Sequence, residues 1–373
     1  MQIDTVLVKV ASRCNINCSY CYVYNMGDDG WRDMPTLISR DTASALARAL
    51  GQLSTDQAKP FATVLHGGEP LMLGERRLEF ILKSLRSVLP QSHVLCMQTN
   101  GMLLTNNILD LCASYGMSIS ISLDGPKKIN DRFRIDKKGE GTHDKVISGI
   151  KKLRDHKASE FLYSGLLSVI DPTSDPIENY NYFKSLEAPS VDFLYRDGNH
   201  SNLPFGKNSI DSTEYANWLC RLLDAYLKDK SPPKIRFLDD IIKLRLGGRG
   251  IKEGLGQSDY GIVIIETDGS IAKNDTLKST FDGADKFEHR WSIHKDRLLD
   301  VLRTDEFKVY HELQRATSKT CLDCEFFKIC GGGMPLHRWK DTTGYDNPSV
   351  YCVDQKELIK YIEFYLKKER LIN

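Results

Sequence analysis

Across its first 200 residues the chain alternates short apolar runs with helical patterns, and this alternation limits the possible fold more than any single motif. Strands are expected over 3–10, 61–65, 93–98, 117–122, 161–169 and 191–195, with helices over 41–53, 75–89, 106–115, 143–156 and 175–186. Such strand–helix repeats build an α/β fold, a parallel sheet with helices outside it, because a parallel neighbour is reached only through a crossover. Six strands suit a partial (β/α)6 TIM-like barrel over 1–200 better than a closed ring of eight. The polar motifs then fall in loops after the strands, where such a barrel carries its chemistry. Residues 201–258 read as a helical bridge interrupted by Pro232-Pro233, and 259–353 as a small module. That module opens on Ile262 to Ile265 and the hairpin turn Thr267-Asp268-Gly269-Ser270. An amphipathic C-terminal helix over 354–373 closes the chain.

The 51 basic residues are matched by 50 acidic ones, which leaves no electrostatic footprint for nucleic acid. No run approaches the ~18 apolar residues of a membrane span, and the N-terminus lacks the pattern of a secretory signal. Ten cysteines in that setting argue for metal or redox use in a reducing cytoplasm rather than for disulfides. Cys96, Cys112 and Cys220 sit in apolar surroundings and read as core thiols.

The other seven form two groups. Cys14, Cys18 and Cys21 stand as C-x3-C-x2-C directly after the first strand. Three thiolates on one tight loop can hold three irons of a [4Fe–4S] cube and leave the fourth open, as a catalytic metal requires. Cys321, Cys324, Cys330 and Cys352 form C-x2-C-x5-C-x21-C. Four thiolates close the coordination of either a zinc ion or a [4Fe–4S] cluster, and spacing alone does not choose between them. Gly331-Gly332-Gly333 is not a phosphate loop, since no Lys-Ser/Thr follows it.

The first motif resembles the signature of the radical S-adenosylmethionine (radical SAM) superfamily, and Gly67-Gly68-Glu69-Pro70 resembles its GGEP motif. The resemblance implies that S-adenosylmethionine chelates the open iron. Gly67 and Gly68 would then let the backbone approach the ligand, and Glu69 would accept from the methionyl ammonium. Tyr20 would cover the cluster or the adenine. Ser122 would contact polar groups of the ligand, Asp124 the ribose or substrate, and Arg134 the methionyl carboxylate. Gln98 and Asn100 would be hydrogen-bonding residues of the rim. His66 reads as a packed histidine, and Tyr20, Tyr22 and Tyr24 as packing rather than radical carriers.

The second group resembles the C-terminal SPASM/twitch-like auxiliary-cluster module of peptide-modifying members. It departs from that pattern where Asn274 and Met334 replace cysteines, which implies one auxiliary [4Fe–4S] cluster at most. Lys9 to Cys14, Cys21 to Tyr24, Leu65 to Pro70, Glu266 to Ser270, Asp275 to Lys278, Cys330 to Gly333 and Gly344 to Cys352 are together similar to the cyclophane-forming maturases of ribosomal peptides. That family joins an aromatic ring of a precursor peptide to the Cβ of a residue two positions later. The implied reaction removes a Cβ hydrogen with a 5′-deoxyadenosyl radical, adds the carbon radical to the arene, and releases a proton and an electron. Asp275 is the candidate base, with Asp197 and Asp268 as competitors, and the auxiliary cluster is the electron acceptor. The first cluster would be reduced by a donor such as flavodoxin or ferredoxin. About a dozen residues precede Cys14, so a separate leader-binding domain is not expected ahead of it. Alternatives on the same motifs are formylglycine formation of the sulfatase-maturase type, epimerisation and thioether formation. A non-catalytic iron–sulfur or zinc protein that binds a partner is the alternative outside enzymes.

Overall fold

The computed structural model describes residues 2–372. Its strands are β1 (Thr5–Ala11), β2 (Ala62–Gly67), β3 (Leu95–Thr99), β4 (Met117–Ser122), β5 (Tyr163–Val169), β6 (Val191–Leu194), β7 (Ile262–Ile265) and β8 (Ile271–Ala272). Two compact units emerge. The first takes the chain up to Leu123, Asn130–Gly165 and Tyr260–His311; the second takes Asp124–Ile129, Leu166–Asp259 and the chain from Glu312 onward.

In the first unit β1 to β4 pair in parallel, each with the next, and β7 lies parallel to the other edge of β1. The order is β4-β3-β2-β1-β7-β8, so β1 is central. Its sequence, Thr-Val-Leu-Val-Lys-Val-Ala, is the near-continuous apolar run of a strand covered on both faces, with Lys9 as the exception. The helix Arg40–Asp56 starts at Ser39, whose hydroxyl accepts from the Thr42 N–H at 3.0 Å, and it buries Leu46, Leu50 and Leu53. The helix Glu75–Arg86 packs beside it and buries Leu78, Ile81, Leu82 and Leu85. The expected alternation of strands and helices is therefore present.

Compactness departs from the expected linear boundaries. Residues 260–311 join the first unit because Ile262–Ile265, four apolar residues in a row, aligns Thr5 with Ile262 through Val8 with Ile265. The hairpin turn forms as expected, with Glu266 N–H donating to Ser270 O and Gly269 N–H to Glu266 O, each at 2.9 Å. Two element ends also move. A helical turn, Ser159–Leu162, precedes β5, and the C-terminal helix spans Cys352–Lys368.

In the second unit Leu166–Val169 pairs in parallel with β6. The helix Glu214–Lys228 packs against both Pro176–Ser185 and Cys352–Lys368. Tyr351 stacks on Tyr195 at 4.3 Å and donates to the Arg196 carbonyl at 2.6 Å. Lys207 and Asp354 form a fully buried ion pair at 2.6 Å, and Asp354 also accepts from the Ala216 N–H at 2.8 Å. No described helix is long and apolar enough to cross a membrane.

Removing one partner of such a pair strands a charge in the interior. Asp354→Ala is expected to cost about 3–5 kcal/mol, read as a lower urea midpoint of the full chain. The double variant Lys207→Met/Asp354→Leu should recover much of that loss.

Candidate active site

The cysteine loop follows β1 and is pinned from several directions within the first unit. Cys21 N–H donates to Cys18 O at 3.0 Å, and the Asn25 side chain donates to the same carbonyl at 2.8 Å. Asn17 and Ser19 N–H groups donate to the carbonyls of Ile135 and Phe133, at 2.8 and 3.0 Å. Asn100 reaches Asn15 Oδ1 at 2.7 Å and lies 4.0 Å from Cys14 Sγ. Burial pushes the Cys14 thiol up to about 12 and the Cys21 thiol up to about 11, with the neighbouring cysteines adding to each. Cys14, Cys18 and Cys21 are a donor set suited to a cationic cluster, whose binding would displace their protons.

The GGEP segment abuts this loop. A Cβ on Gly67, which has φ +130°, would stand 2.1 Å from Ala11 O; one on Gly68 would stand 2.2 Å from Arg13 O and 2.1 Å from the Tyr24 hydroxyl oxygen. The two glycines are thus required by the protein's own backbone at the end of β1, where a bulge breaks the register between Lys9 and Ala11. This is a structural reason beyond the expected approach to a ligand. Gly68 N–H donates to Ala11 O at 2.7 Å and Glu69 N–H to Arg13 O at 3.0 Å, which locks the two loops together.

Glu69 is 1% exposed. Its Oε1 accepts from the Thr99 hydroxyl at 2.6 Å and the Leu71 N–H at 2.9 Å, while Oε2 accepts from the Asn100 N–H at 2.8 Å. Burial raises its carboxyl above the usual range; these bonds and the Arg134 charge oppose that. Oε2 keeps acceptor capacity, so an ammonium fits there. Arg134 is buried, donates to the Tyr20 hydroxyl at 2.8 Å, and favours the ionised forms of Cys21 and Glu69. Gln98 donates to the Ser122 hydroxyl at 2.8 Å. The structure therefore groups Tyr20, Glu69, Asn100 and Arg134 around the cysteine loop, with Gln98 and Ser122 bonded to each other. Asp124 and Asp197 belong to the second unit, where Asp124 accepts from the Val169 N–H at 3.1 Å.

Asp275 sits in a buried ionic network. It is 2% exposed, 3.2 Å from Lys9 Nζ, and accepts from the Tyr22 hydroxyl at 3.0 Å. Lys9, 3% exposed, also pairs with Glu266 at 3.0 Å. Lys278 forms a second knot with Asp285 at 2.8 Å and Asp28 at 3.3 Å. Burial alone would push the Asp275 carboxyl up, but Lys9, with His66 and Lys278, holds it below the ordinary value. Burial would pull Lys9 down, but Glu266 and Asp275 hold it above the usual lysine range. His66 lies opposite Lys9 in the β1–β2 register; burial lowers its affinity for a proton, and its Nδ1 has no partner. Lys9 and Glu266 line a cavity of about 340 Å³, together with Gly67, Gly68, Trp31 and Trp291. Asp268 also lines it, while accepting from Ser270 N–H and hydroxyl at the hairpin turn.

The second cysteine group lies wholly in the second unit. Cys321 and Cys330 come from the helical turns Lys319–Leu322 and Phe327–Cys330, Cys324 from between them, and Cys352 from the start of the C-terminal helix. Burial pushes the Cys330 thiol up to about 12, and Cys352, Cys321 and Cys324 reinforce this, so the four are electrostatic neighbours. Among the described residues no three metal-ligating side chains converge closely enough for a single ion. Four thiolates suit either a zinc ion or a [4Fe–4S] cluster. Gly331, Gly332 and Gly333 all have positive φ, and a Cβ on Gly331 would stand 2.0 Å from Gly256 O; the run is a tight turn beside the cysteines. Asn274 caps the turn Asp275–Ser279 by accepting from the Thr276 N–H, and Met334 packs against Gly254.

Residues 8–178 match the model of the Radical SAM superfamily. The whole chain is similar to the serine-type anaerobic sulfatase-maturating enzyme of Bacteroides thetaiotaomicron, at 24% identity, covering 99% of this chain and 92% of that protein. The fold is similar to native anSMEcpe with bound AdoMet, with a TM-score of 0.83, 20% identity and 98% of each chain covered. It is also similar to Streptococcus suis SuiB bound to its precursor peptide SuiA, with a TM-score of 0.62, 15% identity, and 93% of this chain and 74% of that chain covered. This α/β radical SAM fold places the Cys14 to Cys21 loop after its first strand.

The roles of Lys9, Glu266 and Tyr22 were not visible in the sequence. One signal was available: a lysine inside an otherwise apolar central strand needs buried anions. Lys9→Met is expected to destabilise the full chain by about 3–5 kcal/mol, because two carboxylates lose their cation. The sign of the pH dependence follows from the shifts. Asp275 contributes stability above the unfolded carboxylate value of about 3.9, lost as pH falls through its lower folded value; Lys9 contributes below about 10.4, lost as pH rises through its higher one. In Lys9→Met burial raises the Asp275 carboxyl that has lost its cation, so the difference from wild type should shrink as pH falls and that group protonates, read by urea unfolding. Gly68→Ala should lower iron bound at the first site, measured as iron and sulfide per chain in a Cys321→Ala/Cys324→Ala background.

Proposed function

We propose that this chain is a radical SAM enzyme that modifies a ribosomal precursor peptide, joining an aromatic side chain to the Cβ of a residue two positions later. The observation that carries the reading is Asp275, a buried carboxylate tied to the cysteine loop through Tyr22 and to a cavity-lining cation through Lys9. A cavity of about 340 Å³ walled by aromatic and charged side chains suits one bulky side chain of a peptide. When bound, S-adenosylmethionine on the first cluster supplies a 5′-deoxyadenosyl radical, with an electron from a donor such as flavodoxin or ferredoxin, and the second cluster supplies an electron acceptor.

The chain's own residues do the rest. Cys14, Cys18 and Cys21 would hold the first cluster, and Cys321, Cys324, Cys330 and Cys352 would hold the second. Glu69 Oε2 and the Arg134 guanidinium receive the methionyl ammonium and carboxylate, with Tyr20 orienting Arg134. Asp275 Oδ2 accepts the proton that the substituted ring must lose, and Lys9 and Tyr22 hold that oxygen in place. Its low proton affinity keeps it ionised and available throughout neutral pH. Asn274 and Met334, bound up in a cap and in packing, support a reading with one auxiliary cluster.

Formylglycine formation is the second reading, favoured by the full-length similarity to sulfatase-maturating enzymes. Co-expression with the small peptide encoded beside this protein separates the two. Crosslinking predicts loss of two hydrogens per site, no reaction with hydroxylamine, and suppressed fragmentation between an aromatic residue and its second neighbour. A hydroxylamine-reactive aldehyde on a serine or cysteine supports the second reading instead. An unmodified peptide with a loaded enzyme that still releases 5′-deoxyadenosine overturns the crosslinking proposal for that peptide. Asp275→Asn should lower turnover by about 10²–10⁴-fold, measured as modified peptide per loaded enzyme.

A further inference from the structure

Arg338 is the largest fully buried side chain of the protein, at 1% exposure, and it has no carboxylate partner. Its Nη1 donates to the Arg315 carbonyl at 3.0 Å and its Nη2 to the Leu313 carbonyl, while its buried Nε has no partner at all. Among the described residues it belongs to no ion pair, whereas the buried lysines Lys9, Lys207 and Lys278 each hold an acidic side chain. Burial draws its proton affinity down to about 10, and the groups that oppose this are led by Cys321, followed by Asp346, Tyr345 and Cys330. Asp346 has its own partner, the Thr317 hydroxyl at 2.7 Å. A guanidinium cannot shed its charge as a lysine can, so burying one against two carbonyl dipoles leaves an uncompensated cation.

Cys321 and Cys330, two of the four cysteines of the second group, act on it electrostatically, and the group they belong to can resolve that imbalance. A [4Fe–4S] cube ligated by four thiolates is a dianion when oxidised and a trianion when reduced. We propose that Arg338 is the built-in countercharge of the auxiliary cluster and sets its reduction potential, making the cluster a readier electron acceptor. A fixed cation stabilises the more negative, reduced form and so raises the potential; net charge and burial are among the levers by which a protein tunes such clusters. The short turn Pro335–Arg338, which follows the three-glycine turn after Cys330, is what brings the side chain there. Arg338 touches no reacting atom; it acts through the cluster.

This inference rests on the second site holding an iron–sulfur cluster, and the experiment separates the two questions. The full chain carrying Cys14→Ala, Cys18→Ala and Cys21→Ala, reconstituted anaerobically, isolates the second site. Iron, sulfide and zinc per chain are measured, followed by a redox titration monitored by electron paramagnetic resonance. Arg338→Gln in that background should retain iron and shift the potential negative. Its reduced-to-oxidised ratio at a fixed ambient potential should fall at least tenfold, about 59 mV for one electron. Arg338→Lys, which keeps the charge, should restore most of the shift. Full iron content with an unchanged ratio in Arg338→Gln overturns the proposal and leaves the cluster standing. Zinc, or no metal, in the parent with Arg338 intact overturns the cluster reading and the proposal with it. If Arg338→Gln loses iron, Arg338→Lys decides: iron retained at the parental potential supports a countercharge, and iron lost again shows that shape, not charge, is what the site needs.

Discussion

Lys9 is the residue on which the first unit turns. A lysine in the middle of a central strand is expensive to bury, and the cost is met only by anions that arrive from far along the chain: Glu266 at the end of β7, and Asp275 in the turn beyond β8. Because β1 lies between β2 and β7, its register sets His66 on one side of Lys9 and Glu266 on the other. Tyr22 then ties the same Asp275 to the cysteine loop. One ammonium thereby couples sheet order, cavity wall and cluster loop, which is why a single charge in β1 matters to chemistry several residues away.

The Gly67-Gly68 pair performs a comparable task by steric means. By admitting Ala11 O and Arg13 O where side chains would otherwise stand, it lets the GGEP segment lie against the cysteine loop. Glu69 is then delivered among three donors, two on one oxygen and one on the other. The motif is as much a feature of how two loops meet as of how a ligand is held.

Local pattern accounts for what the sequence made legible. Met-Ser-Ile-Ser-Ile-Ser alternates cleanly, and β4 occupies the six residues expected of it; the cysteine spacings pointed to two separate thiol groups, and the thiols of each act on one another electrostatically. Local pattern cannot report partners that meet only in three dimensions. Nothing near Lys9 in sequence announces Glu266, nothing near Arg338 announces that it lacks an acid, and four apolar residues at 262–265 do not say that their neighbour will be β1. Asp124 is another case: it accepts from the Val169 N–H in the second unit, a partner that nothing beside it in sequence announces.

The pairing of β1 with β7 also has a temporal meaning. Thr5 aligns with Ile262, so the central strand of the first unit must wait for the ribosome to complete some two hundred and fifty further residues before its second edge is covered. Until then Lys9 has neither of its acids. Long-range parallel pairing of this kind is slow, since loop closure precedes any reward. The cysteine loop is thus made first and secured last. In a nascent chain its thiols lack that support for most of synthesis.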